Sequence, residues 1–285
     1  MKIGLVLEGG GMRGLYTAGV LDGLTDARWM PDYVIGVSAG ADNAASYLSG
    51  QRGRNLRINT DYLKDKRYLS FRNFLQTKSL FGMDFIFGEI PEKLDPFDYK
   101  AFADCPCVFE VGVTDVKSGK PVYLQEKKVM ETGDFTVLRA SSSIPVFSPI
   151  VKLNGGEYLD GGTSDPIPIE RALEWGCDRL IVVLTRERGY HKKPEGFRRI
   201  YRRAFRRYPN MIHTLDIRHQ VYNQTLERLA ELEQEKKALV IAPEEPLGIG
   251  RFEKDKEKLV AVYQHGLKQT ACMMKRIQAF CHMEE

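Results

Sequence analysis

Gly36-Val37-Ser38-Ala39-Gly40 reads G-x-S-x-G, a spacing that sets a serine hydroxyl between two residues without side chains. A short run, Tyr33 to Ile35, enters it, and a small-residue helical run, Ala39 to Leu48, leaves it. A serine on such a strand-to-helix turn is held clear of the sheet on a strained backbone, where it can attack an acyl carbon. Gly36 and Gly40 stand where a Cβ would collide with neighbouring backbone or block the turn. A second stretch, Gly9-Gly10-Gly11-Met12-Arg13-Gly14, offers unobstructed backbone N–H groups next to a helix start. Such a cluster suits an anion, including the oxyanion of acyl transfer. A third, Asp160-Gly161-Gly162, places a carboxylate at a strand end before two glycines, aimed into a cleft with nothing crowding it.

Two competing chemistries fit parts of the same sequence. Gly9 to Gly14 also fits G-x-G-x-x-G, but a dinucleotide site needs an acidic residue at the end of the next strand, and that strand ends in Gly36-Val37-Ser38. A histidine base is the usual partner of a serine nucleophile, yet the five histidines, His191, His213, His219, His265 and His282, all lie in polar stretches beyond the apparent core. Ser38 also comes too early for an α/β-hydrolase, where several strands precede the elbow. These points favour a carboxylate as the base. The five cysteines are scattered, and Cys105 and Cys107 lack a second pair or a nearby histidine, so reduced thiols are expected rather than a zinc site.

The elements that must position these groups read as alternating strands and helices. Ile3 to Leu7 is a strand, followed by the glycine loop and a helix carrying Leu15, Val20, Leu21 and Leu24. Residues 51–100 are rich in aromatics, among them Tyr62, Tyr68, Phe71, Phe74, Phe81, Phe85 and Phe87; most read as core, and some as the lining of an acyl-chain pocket with Gly82 and Gly88 as lid hinges. Val108 to Thr114 and Pro121 to Leu124 form a hairpin, and Ile150 to Leu153 pairs with Glu157 to Leu159. Arg179 to Leu184 is an apolar strand suited to a buried parallel position. Beyond Thr185 follow a basic stretch, a long helix, one strand and a terminal helix.

The three motifs in this order, with Arg139-Ala140-Ser141-Ser142-Ser143-Ile144-Pro145 before the aspartate, resemble the patatin-like phospholipase family over roughly residues 1–185. The resemblance implies an α/β fold, a three-layer α/β/α sandwich with a mostly parallel central sheet. It implies Ser38 as nucleophile, Asp160 as its dyad partner, and Gly9, Gly10, Gly11, Met12, Arg13 and Gly14 as the oxyanion loop. Gly36, Val37, Ala39, Gly40, Gly161 and Gly162 complete the elbow and dyad motifs. The implied activity is hydrolysis of lipid acyl esters with no metal and no cofactor. Transfer of the acyl group to an alcohol and a histidine-containing triad stay open as alternatives. Asp-Gly-Gly stands where many members have Asp-Gly-Ala, a tolerated difference.

The expected organisation is a catalytic core at 1–185 and a mostly helical extension at 186–285. The net charge is +4, yet Arg186 to Arg207 holds ten Lys/Arg against two Glu. On a helix from Phe197 to Tyr208 the arginines, Arg198, Arg199, Arg202, Arg203, Arg206 and Arg207, occupy one side, opposite Phe197, Ile200, Tyr201 and Phe205. This face is either solvated or a contact for an anionic membrane. Nucleic acid is not expected as a partner, because the rest of the chain is net negative. Glu8 interrupts the N-terminal apolar run before it could serve as a signal peptide, so a cytoplasmic location is expected, with peripheral contact to the inner membrane face.

Overall fold

In the computed structural model of the chain, residues 1–125 and 133–282 are described. The central strands are β1 (Ile3–Leu7) and β2 (Tyr33–Val37), each buried along its whole length. Side chains alternate between two faces: Leu5, Leu7 and Val34 join one apolar cluster, and Val6, Tyr33 and Ile35 join another. Burial on both faces demands helices on both sides, and continuous apolar strands of this kind pair in parallel.

The helices come between and after the strands. α1 (Gly14–Asp26) and α2 (Ala39–Leu48) flank β2, and α3 (Arg54–Asp61), α4 (Phe71–Thr77), a π-helical stretch at Phe85–Leu94 and α5 (Tyr99–Asp104) fill the long crossover. β3 (Val108–Asp115), β4 (Pro121–Gln125), α6 (Thr136–Ser141), β5 (Val151–Leu153), β6 (Gly156–Asp160), α7 (Ile169–Glu174) and β7 (Arg179–Val183) follow. The last elements are α8 (Arg198–Ala204), α9 (Pro209–Gln234), β8 (Ala238–Ile241) and α10 (Lys256–His282). The sheet runs β5-β6-β3-β2-β1-β7-β8, with β4 also on β3. β3, β2, β1, β7 and β8 are mutually parallel. α1, α2 and α10 cover one face, and α7 and α9 cover the other, which gives the three-layer α/β/α sandwich. α1 and α10 cross in direct backbone contact, since a Cβ on Gly266 would lie 2.1 Å from the Tyr16 carbonyl.

β3 acts as the ruler of the site. Gly112 pairs with Val37 of β2 and with Tyr123 of β4, while Val113 pairs with Asp160 of β6 and with Val122 of β4. β4 therefore takes one edge of β3, and β2 and β6 meet end to end on the other.

Two local expectations change. The basic helix spans only Arg198–Ala204, because Pro209 disfavours helical geometry at Tyr208 and opens the next helix instead. Arg198 and Arg202 bind Asp216, at 3.1 and 2.6 Å, while Arg199, Arg203, Arg206 and Arg207 are exposed with no ion pair among the described residues. Tyr201 and Phe205 face the core, but Phe197 and Ile200 are exposed. Gly82 is not a free hinge, since a Cβ there would sit 1.7 Å from the Arg67 carbonyl.

Candidate active site

The chain leaves β2 at Val37 and turns sharply at Ser38, whose φ of 54° and ψ of −130° lie outside the regions a non-glycine residue prefers. Holding it there costs about 1–3 kcal/mol, which the surroundings must supply. They do so on both sides. The Ser38 N–H donates to Ser141 Oγ at 2.8 Å, and that hydroxyl donates to the Gly112 carbonyl at 2.6 Å, so Ser141 bridges the gap where β2 departs from β3. The Ser38 carbonyl accepts the N–H groups of Ala41 and Asp42, which starts α2. The flanking glycines are required by close approach: a Cβ at Gly36 would lie 2.6 Å from Ala41 N, and one at Gly40 would lie 2.5 Å from the Leu7 carbonyl.

Asp160 reaches Ser38 because Val37 and Asp160 pair with consecutive residues on one edge of β3. Its backbone is fixed by N–H donation to Ser143 O at 2.8 Å and by Thr114 Oγ1 donating to its carbonyl at 2.9 Å. The carboxylate accepts the Gly162 N–H at 2.8 Å and lines the same cavity as Ser38. Burial raises its pKa above the ordinary aspartate value; Arg218, the Ser38 hydroxyl, the Gly162 N–H and Arg251 pull against that rise. Arg218 donates to the Gly162 carbonyl and to Glu195, so it is clamped beside the aspartate. Gly161 packs against β3, where a Cβ would meet the Gly112 carbonyl at 2.1 Å.

The glycine loop lies across from this pair. Gly9 packs on Ser38, where a Cβ would be 2.9 Å from the serine Cβ. Gly11 has φ +58°, a conformation that favours glycine, and a side chain there would strike the Arg251 carbonyl at 2.7 Å. That same carbonyl accepts the Met12 N–H at 3.2 Å, fixing the loop from outside. The N–H groups of Gly9, Gly10 and Gly11 make no hydrogen bond within the described residues. Met12 and Arg13 are buried, Gly14 packs on Ala39, and Glu8 is held by Thr185 and Tyr222.

Two cavities meet at Ser38. The smaller, about 110 Å³, is lined largely by apolar side chains including Leu15, Phe81, Met83, Ile86, Phe87 and Leu138. Some of the aromatic crossover thus lines a pocket, while Tyr62 and Phe85 pack into the core. The larger, about 500 Å³, contains the glycine loop, Asp160 and a group of charged side chains. None of the five histidines lines either one. The arrangement can therefore present a serine oxygen, a buried proton acceptor and free N–H donors to one bound carbonyl. Sequence reasoning does not single out Ser141, Arg218, Arg251 or Asp42. Ser141 lies in the 139–145 stretch, Asp42 sits one helical turn beyond the serine, and nothing local marks the two arginines. Asp42 accepts the Ser142 hydroxyl at 2.7 Å, and burial raises its pKa to about 7.

The sequence model of a family described as patatin-like phospholipase matches residues 5–173, and one described as a domain of unknown function, DUF6363, matches residues 208–282. Uncharacterized protein YjjU of Escherichia coli (strain K12) is 33% identical over 212 residues, covering 70% of this chain and 57% of that protein. Lysophospholipase nte1 of Aspergillus terreus is 25% identical over 191 residues, covering 64% of this chain but 12% of that protein. The chain thus spans about half of one relative and a small part of the other. Among solved structures, VipD from Legionella pneumophila superposes with a TM-score of 0.51 at 14% identity, covering 96% of this chain and 67% of that one, a likeness of fold.

Proposed function

The chain belongs to the patatin-like phospholipase family, whose model covers more than half of it, and from that premise we propose a serine-dependent lipid acyl hydrolase working through Ser38 and Asp160. The observation that carries this reading is the strained Ser38, which shares the larger, polar cavity with Asp160 and the glycine loop and also opens onto the apolar one. The acyl chain occupies the apolar cavity and the alcohol portion the larger one. Ser38 Oγ attacks the ester carbonyl as its proton passes to the Asp160 carboxylate, and the N–H groups of Gly10 and Gly11 receive the oxyanion. Collapse breaks the ester bond, and the departing alkoxide takes the proton back from Asp160. Water then adds to the acyl-enzyme by the same steps and releases the fatty acid. The raised pKa of Asp160 makes its carboxylate a stronger proton acceptor than an ordinary aspartate.

Residues 1–185 form the catalytic core in this reading, and 186–285 an extension that braces it through Arg218 and Arg251. The fungal relatives' name, lysophospholipase, supports a substrate with one acyl chain. Among the described residues no helix is long and apolar enough to cross a membrane. The protein meets its lipid at the bilayer surface, through the exposed Arg199, Arg203, Arg206 and Arg207 beside Phe197 and Ile200. The test is a fluorophosphonate probe and a panel of acyl esters applied to the wild type and to Ser38→Ala. Labelling confined to Ser38 and loss of all turnover in the variant are expected; an active variant, or labelling at another serine, refutes the assignment.

A further inference from the structure

The smaller cavity is not uniformly apolar, and its polar groups fall in order along α2. Ser38, Asp42 and Ala45 line it, so it follows the helix away from the nucleophile, with Asp42 one turn in, about 6 Å along the axis. Most of the polar side chains on its wall are already engaged within the fold. Asn43 Nδ2 donates to the Gly14 carbonyl at 2.7 Å, Asn55 Nδ2 donates to the Asn43 carbonyl at 3.2 Å, and Asn59 Oδ1 accepts the Tyr68 hydroxyl at 2.8 Å. Arg54 reaches the wall two turns along α2, where it donates to Ser46 Oγ at 3.4 Å. Its Nε makes no hydrogen bond, but it lies 3.5 Å from Asp95 Oδ1, which pairs its charge. Asp42 differs from these. Its Oδ2 accepts the Ser142 hydroxyl at 2.7 Å, whereas Oδ1 is buried with no hydrogen-bond partner among the described residues. A carboxyl oxygen buried without a donor costs free energy that an apolar chain packed against it cannot return.

We propose that Asp42 selects acyl chains bearing a hydroxyl a few carbons from the ester carbonyl, with that hydroxyl hydrogen-bonded to Asp42 Oδ1. The proposal rests on the hydrolase reading above, which puts the acyl chain in this cavity, and it names the chemistry of that chain. One helical turn separates the carboxyl from Ser38, a reach that fits an oxygen near the carbonyl and not one at the far tip of the chain. The remaining wall, with Leu15, Phe81, Met83, Ile86 and Leu138, packs on hydrocarbon. Burial brings Asp42 to a pKa of about 7, so near neutrality it is present both with and without a proton. An alcohol hydroxyl is donor and acceptor at once and satisfies either form. The carboxyl is held ready for it: Ser142 fixes Oδ2, and the Asp42 N–H is bound to the Ser38 carbonyl at 3.1 Å, which ties the residue to the elbow. A water in that place would need at least two polar partners, and the polar side chains named above are engaged elsewhere.

The test is hydrolysis of 4-nitrophenyl hexanoate, 3-hydroxyhexanoate and 6-hydroxyhexanoate by the wild type, with each kcat/KM divided by the rate of alkaline hydrolysis of the same ester. The 3-hydroxy ester should be favoured about 10-fold over the other two, the effect of one hydrogen bond made to a group otherwise left unsatisfied. Asp42→Leu should abolish or reverse that preference and Asp42→Asn, which keeps an acceptor oxygen, should retain part of it, a pattern that a purely structural role for Asp42 would not produce. The preference is read first on the wild type, so a leucine variant that fails to fold does not shield the proposal. No advantage for the 3-hydroxy ester, or the same advantage for the 6-hydroxy ester, overturns it, as does a preference that survives Asp42→Leu. Calorimetric binding of the three esters to Ser38→Ala makes the comparison without turnover. Selection of the 3-hydroxy ester there, with a wild type that cleaves none, would sink the hydrolase reading alone, whereas absent or unselective binding would sink the proposal.

Discussion

Replacing Ser141 with alanine should damage both stability and turnover, although Ser141 touches no substrate. Its hydroxyl is fully buried, accepts the Ser38 N–H at 2.8 Å and donates to the Gly112 carbonyl at 2.6 Å. Removing it strands one buried donor and one buried acceptor, and each such group costs about 1–3 kcal/mol. The expected loss is therefore about 2–6 kcal/mol, a large part of the roughly 5–15 kcal/mol that holds a domain folded. The melting temperature should fall by about 4–18 °C at roughly 2–3 °C per kcal/mol for a chain of this size. The surviving folded protein loses the anchor on one side of the elbow, so kcat should drop about 10- to 100-fold with KM little changed, the pattern of a group that positions the nucleophile. Calorimetric melting and steady-state kinetics on a soluble short-chain ester measure both. A variant within about 0.5 kcal/mol of wild type and with undiminished kcat would refute the bridge, since surface-like tolerance of that order means neither backbone group depends on the hydroxyl.

Asp160→Asn should lower kcat by about three orders of magnitude or more with the fold retained, while His191→Ala and His213→Ala keep full activity; an inactive, folded histidine variant would contradict the dyad. Gly11→Ala must place a Cβ 2.7 Å from the Arg251 carbonyl at φ +58°, so it should depress kcat more than substrate affinity, whereas an effect on affinity alone would make the stretch a binding loop. Asp42 titrates at about 7 when folded against 3.8 ordinarily, so the folded state holds the extra proton between these values. Stability is then lost as pH rises from about 4 to 7, by at most about 4 kcal/mol, and Asp42→Asn should raise the melting temperature relative to wild type at pH 8 but not at pH 4. An equal shift at both pH values would show that Asp42 is ionised throughout. Replacing Arg199, Arg203, Arg206 and Arg207 together with Gln should weaken salt-sensitive sedimentation with anionic vesicles by roughly 1 kcal/mol per arginine, and unchanged sedimentation would leave them a solvated face.

Much of this architecture was legible because it rests on local rules. Two-faced burial wrote the central strands as unbroken apolar runs, and the glycines around Ser38 marked a backbone too close to its neighbours for a side chain. Asp160 announced itself by its strand end and its two glycines. Arg218 and Arg251 gave no local signal, because their positions follow from the packing of α9 and of the loop before α10 on the opposite end of the chain. The basic helix was overextended for a different reason. Its charge pattern continues to Arg207, but Pro209 sets the backbone, and the pairing of Arg198 and Arg202 with Asp216 depends on a residue in the next helix.

The hydrogen bond from Met12 N–H to the Arg251 carbonyl also has a meaning for how the protein is made. At about 5–20 residues added per second, roughly ten to fifty seconds pass between emergence of the glycine loop and emergence of its clamp. During that interval the loop rests on its contacts with the elbow and, once residue 185 emerges, on Thr185, but it lacks this outer hydrogen bond. In the reading proposed above, the nascent chain carries its serine before the outer contact of the glycine loop, the one to residue 251, can form.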